Sequence, residues 1–157
     1  MTDAPTLPVV RAVFQRRARF LPVDLRRLWR VPLVLLVVNA CRGHQATRMQ
    51  IHVLGWALLR ADMRDAIGHI FSTDEPDRSL LRFDPALSRA VDMAVGSGFL
   101  RESDTGVLTL TPEGRAIIER IGAEDGPLAV EKQALARLPR RFTQTDAARL
   151  LHVGRSV

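Results

Sequence analysis

Apolar positions along the chain fall into short stripes separated by compact polar breaks, and most stripes repeat at helical spacing. Val9, Val10, Val13 and Phe14, with Arg11, Arg16 and Arg17 among them, predict a short basic amphipathic helix. Pro22 opens a second segment in which Leu25, Leu28 and Trp29 share one face, and Pro32 closes it and starts the next. Leu33 to Cys41 is apolar on every side, as a central buried helix requires, and Gly43 ends it. Thr47-Arg48-Met49-Gln50 has the form of a capping box, and Ile51, Leu54 and Leu58 then mark the inner side of a helix. A further helical stretch is expected over Asp62 to Phe71, followed by a polar loop from Ser72 to Ser79.

Leu80 to Phe83 reads as a short strand, and Asp84-Pro85 supplies an N-cap and a first-turn proline. Leu87, Ala90, Val91 and Ala94 form the buried stripe of the helix that follows, which Gly96 and Gly98 end. Phe99 to Glu102 and Val107 to Leu110 flank Ser103-Asp104-Thr105-Gly106, a hairpin pattern. Thr111-Pro112 caps another helix with Ile117, Ile118 and Ile121 facing inward. After a linker from Gly122 to Pro127, a helix spans Leu128 to Leu138 and a last one starts near Thr145. Helices followed by a hairpin wing and a closing helix give a mainly α fold with a small β-hairpin wing. This is the plan of a winged helix-turn-helix with N- and C-terminal helical extensions. The expected divisions are an arginine-rich arm over 1–30, the winged-helix domain over 31–122 and a C-terminal helical extension over 123–157.

Composition sharpens this picture chiefly through charge. The 157 residues carry 23 basic and 17 acidic side chains, a net charge of +6. Arg11, Arg16, Arg17, Arg19, Arg26, Arg27 and Arg30 all precede Val31, where only Asp3 and Asp24 oppose them, so the excess belongs to the arm. Cys41 is the only cysteine, so disulfides do not organise the fold and a reducing, cytoplasmic setting is expected. The apolar run from Val31 to Cys41 is too short to span a bilayer, so no membrane is expected as a partner. Its resemblance to a lipoprotein signal fails because the basic region before it is too long.

The third helix of a winged helix usually reads DNA with donors and acceptors that reach base edges. Here Asp84 to Gly98 offers Ser88, Arg89 and Ser97 beside Asp84 and Asp92, and the wing carries Arg101, Glu102 and Asp104. Each is slightly acidic, which opposes phosphate contact. Protein binding is the better expectation for this face, with Arg89 the candidate base contact should it read DNA. The seven arginines of the arm are candidate contacts to nucleic-acid phosphates or to an acidic partner, and charge alone separates neither. Trp29 and Trp56 are candidate interface residues, Trp56 because it lies off the main stripe and must cover a neighbouring segment or meet a partner. His44, His52, His69 and His152 show no metal-ligand spacing, Asp62 and Asp65 read as solvated helix surface, and no phosphate-cradling glycine loop or nucleophile elbow occurs. No catalytic site, metal or cofactor is expected.

The segments VPLVLLVVNACRG, MQIHVLGWALL, FDPALSRAVDMAVGSGFL, LTLTPEGRAIIERI and EKQALARL, in that order from Val31 to Leu138, resemble the small middle component of bacterial ABC-three-component systems, including Lamassu-type anti-phage defence systems. The resemblance implies a non-catalytic winged-helix adaptor in a hetero-oligomer with an SMC- or Rad50-like ATPase and a separate effector. It does not extend to the arm before Val31.

Overall fold

The computed structural model describes residues 29–68, 83–123, 126, 128–139 and 141–152. The helix expected over Val9–Phe14, most of the segment expected from Pro22 and the whole loop expected over Ser72–Ser79 lie outside these residues. The described chain is mainly helical with a small three-stranded antiparallel sheet.

The first helix, α1 (Arg30–Ala40), begins before Pro32, which takes a first-turn position where its missing N–H costs nothing. Val31 and every residue from Leu33 to Val38 are buried, as a helix with no polar side must be. It forms the axis of the molecule and packs against most of the helices introduced below. It ends at Ala40, earlier than Gly43. Gly43 instead supplies the left-handed turn (φ +70°) that redirects the chain into β1 (Gln45–Thr47).

The strand β1 is absent from the sequence reading, being three residues with no apolar alternation to announce it. Thr47 then caps α2 (Arg48–Leu59) with the full capping box: its Oγ1 accepts from the Gln50 amide, and Gln50 Oε1 accepts from the Thr47 amide at 2.9 Å. The helix α3 (Ala61–Ala66) is shorter than the stretch expected to Phe71, and a turn at Ile67-Gly68 follows it; residues 69–82 lie outside the described set. Of the strand expected over Leu80–Phe83 only Phe83 is described, and it belongs to no strand.

Asp84 caps α4 (Pro85–Gly96) by accepting from the Ala86 amide at 2.9 Å, and Leu87, Ala90, Val91 and Ala94 are its buried stripe, as the sequence predicts. The hairpin follows as β2 (Leu100–Glu102) and β3 (Val107–Leu110), its turn closed by Gly106 at φ +76°. The strand β3 is central: Thr47 pairs with Val107 on one side, and Glu102 with Leu108 on the other. Thr111 Oγ1 accepts from the Gly114 amide at the start of α5 (Pro112–Ala123), whose Ile117, Ile118 and Ile121 are half-buried against the core.

Two further helices, α6 (Ala129–Ala136) and α7 (Gln144–His152), return the chain to α1 and α2. Phe142, between them, is fully buried and bridges in parallel to Cys41; the Arg42 amide donates to its carbonyl at 2.9 Å. Thr143 and Asp146 cap α7 reciprocally, Asp146 Oδ2 accepting from the Thr143 amide at 2.8 Å.

Candidate functional site

The outer face of α4, the first turn of α2 and the wing lie together because β1 pairs with β3. Thr47 opposite Val107 brings the next residue, Arg48, beside the hairpin. Its guanidinium grips Glu102 on β2 with two hydrogen bonds, Nε to Oε1 at 3.0 Å and Nη2 to Oε2 at 2.9 Å. The remaining arm, Nη1, reaches Asp92 on α4 at 2.8 Å. One cation thus ties wing to helix, and the hydrogen bond from Arg48 holds Glu102 below the usual carboxylate range.

Sequence reasoning missed Arg48. A charge count confined to the third helix and wing makes both acidic, but Arg48 offsets one of the two carboxylates it binds. The partners are far apart in sequence, and the only signal that would have joined them is the unannounced β1. A second pair acts likewise at the other end of α4, where Arg30 binds the capping carboxylate of Asp84. Burial would raise the Asp84 pKa, but the Ala86 amide and Arg30 outweigh it and the net shift is downward.

With these carboxylates engaged, the surface of α4 is notable for apolar exposure. Phe83 is 56% and Met93 40% exposed. Ala86, Arg89, Ala90 and Met93 recur at i, i+3, i+4 and i+7, one helix face, and with Asp92 line a hollow of about 310 Å³. Arg89 stands exposed on this face. Beneath it, His52 of α2 is buried with its Nε2 3.0 Å from Ser88 Oγ, and its ring meets that of Phe83 edge-on, centroids 4.8 Å apart.

The other residues singled out from sequence are scattered. Arg11, Arg16, Arg17, Arg19, Arg26 and Arg27 lie outside the described residues. Arg30 is engaged with Asp84, and Trp29 is half-buried against the core at the start of α1. Trp56 is half-buried on α2, with the Arg60 guanidinium carbon 5.2 Å from its ring centroid. Asp62 pairs with Arg60 on the surface, and Asp65 is exposed. His44 Nδ1 donates to the Asn39 carbonyl, a turn contact rather than a ligand position. His69 lies outside the described residues, and the side chain of His152 is likewise not among those described.

A larger cleft of about 440 Å³ between α1 and α6 is lined by Leu36, Ala40, Leu135, Leu138, Lys132 and Arg141, with Asn39. Both cations hydrogen-bond to backbone carbonyls, those of Ile121 and Asn39, and the lining brings together no nucleophile with a base. Among the described residues no cluster of three His, Cys, Asp or Glu side chains could hold a metal ion, and no helix is long and apolar enough to cross a membrane. The chain matches no family model, and neither curated proteins nor solved structures include a significant match to it.

Proposed function

We propose that this chain is a non-catalytic winged-helix adaptor that binds protein through the outer face of α4, within a DNA-sensing defence complex built on an SMC- or Rad50-like ATPase. The observation that carries the reading is the chemistry of that face. Exposed Met93 lines a hollow with Ala86 and Ala90, beside Arg89 and Asp92, and exposed Phe83 precedes the helix, where a base-reading helix would present mainly polar side chains. Arg48, which stands between α4 and the wing, is engaged by Asp92 and Glu102 rather than facing outward for phosphate. The order α1, β1, α2, α3, α4, β2, β3, with β1 added to the hairpin sheet and α3 a single short helix, supports the winged-helix plan. The resemblance between Val31 and Leu138 supplies the partners: the ATPase heads, with a separate effector in the same complex. In this reading the arm before Val31 holds DNA backbone or an acidic partner surface.

The test is co-purification of the full chain with the long coiled-coil ATPase expected from a neighbouring gene. Met93→Glu is expected to abolish the association with the far-ultraviolet circular dichroism unchanged. Tight binding of the isolated chain to a defined operator at physiological salt, with a large specificity ratio, overturns the reading.

One observation favours a second reading, a dimeric DNA-binding regulator: Arg48 offsets the acidity of α4 and the wing, and Arg89 remains exposed. Its dimerisation helix would be α6, where Val130 is 49% exposed, although Ala134 is already buried within the chain. Under that reading Arg89→Ala relaxes sequence preference in a binding-site selection; binding with no preference to relax removes it.

A further inference from the structure

His52 is a buried ionisable group that the docking surface does not use. It is 5% exposed, lies on α2 where that helix crosses α4, and its Nδ1 has no hydrogen-bond partner. One helical turn on, Gly55 lets Leu87 of α4 approach closely, so His52 and Gly55 together form the contact line between the two helices.

The two ring nitrogens decide what the site tolerates. In the neutral ring, Nε2–H donating to Ser88 Oγ leaves Nδ1 as a bare acceptor, whereas the other tautomer buries an N–H with nothing to receive it. Protonation forces that second situation and adds a charge, and burying either uncompensated is costly. Burial therefore disfavours the charged ring; Asp84 acts in the opposite direction and Arg48 adds to the penalty. These are the charged groups acting on the ring: Arg48 one turn earlier on α2 and Asp84 at the cap of α4, the latter bound to Arg30 of α1. Asp84 is the nearest means of relief, but it already accepts from the Ala86 amide, so turning it toward an imidazolium removes the N-cap of α4.

We propose that His52 is a proton-sensitive pin between α2 and α4, and that its protonation loosens the first turns of α4 while leaving the α1 core in place. The inference does not depend on what binds α4, so it stands or falls separately from the adaptor reading.

The sign follows from linkage. A histidine disfavoured from binding protons in the closed state binds them more readily once α4 opens, so closure is strongest above the ordinary imidazole range and weakens as pH falls through it. The experiment is amide hydrogen exchange on the full chain between pH 7.5 and pH 5, corrected for intrinsic exchange. Below about pH 6.5, protection of Ala86 to Ala90 is expected to fall by up to about tenfold per pH unit, while that of Val34 to Val38 holds. His52→Gln, whose amide can still donate to Ser88, is expected to flatten the slope. A parallel loss in α1 and α4, or a slope that survives His52→Gln, overturns the proposal. Should that variant not fold, the wild-type nuclear magnetic resonance titration decides. The Ala86 and Ser88 amides must titrate with the midpoint of the His52 ring, and independent titration overturns the proposal.

Discussion

Gly55 and Gly114 both let a helix approach a neighbour, but what each meets is different. A Cβ on Gly55 would lie 2.7 Å from Leu87 Cδ2, the end of a side chain that can rotate. On Gly114 it would lie 2.2 Å from the Phe99 carbonyl oxygen, backbone fixed where that residue also accepts from the Thr111 amide. Gly55→Ala gains about 1 kcal/mol of helix propensity against overpacking of similar size, so its net cost should be within about 1 kcal/mol. Gly114→Ala should lose about 3 kcal/mol in urea denaturation, and equal effects for the two would show that the Phe99 carbonyl yields. In sequence, Gly114 is visible only as part of a Leu-Thr-x-x-Gly-Arg run, and the oxygen that makes it glycine belongs to a segment no local pattern connects. Cys41 closes the apolar run that the sequence marks as a buried helix. It is fully buried, and burial pushes its thiol up to about 12, with Arg141 opposing. Its labelling by a thiol reagent at pH 8 should therefore follow the rate of unfolding, and fast labelling of the native chain would contradict the burial.

Elements whose signals are contiguous were legible, and those defined by distant partners were not. Thr47 and Gln50 cap α2, Asp84 and Pro85 open α4, and Ser103 to Gly106 turn the hairpin, each through chemistry contained in a few consecutive residues. The strand β1 exists only because β3 receives it, so three unremarkable residues gave no notice of the third strand or of Arg48 beside the wing. The Arg48 bridge is exposed, so Arg48→Met should cost about 1 kcal/mol or less, and the loss should shrink in 1 M salt. Thr47→Ala, which removes a cap rather than a surface charge pair, should cost about 1 kcal/mol at either salt concentration. The bridge also has a pH signature. Because Arg48 depresses the Glu102 pKa in the folded state, its contribution is present above the ordinary glutamate range and is lost as pH falls through the depressed value. Comparing denaturation of Arg48→Met and the wild type at pH 7 and pH 3 should show a smaller difference between them at the lower pH.

At the scale of the whole molecule, the apolar helix α1 was legible as the centre because its sequence leaves no side for water. What surrounds it was less so. The glycine and proline between Gly122 and Pro127 make the C-terminal segment look detachable, and Phe142 sits in a polar run, Arg140-Arg141-Phe142-Thr143-Gln144, with no period to mark it as core. Its burial comes from backbone pairing with the end of α1: the Phe142 amide donates to the Ala40 carbonyl, and its own carbonyl accepts from Arg42. The ring joins the same hydrophobic cluster as Leu33 and Leu58, and Ala134 of α6 and Ala147 of α7 belong to it too. A core shared in this way should unfold as one unit. Phe142→Ala is therefore expected to lower stability by about 4 kcal/mol while the denaturant dependence keeps its slope. Fluorescence of Trp29 and Trp56, near the start of α1 and on α2, and circular dichroism, which sees every helix, should report the same midpoint. A first transition visible only by circular dichroism would mean instead that α6 and α7 leave before α1 and α2, and that the closing segment stabilises the fold without sharing its cooperativity.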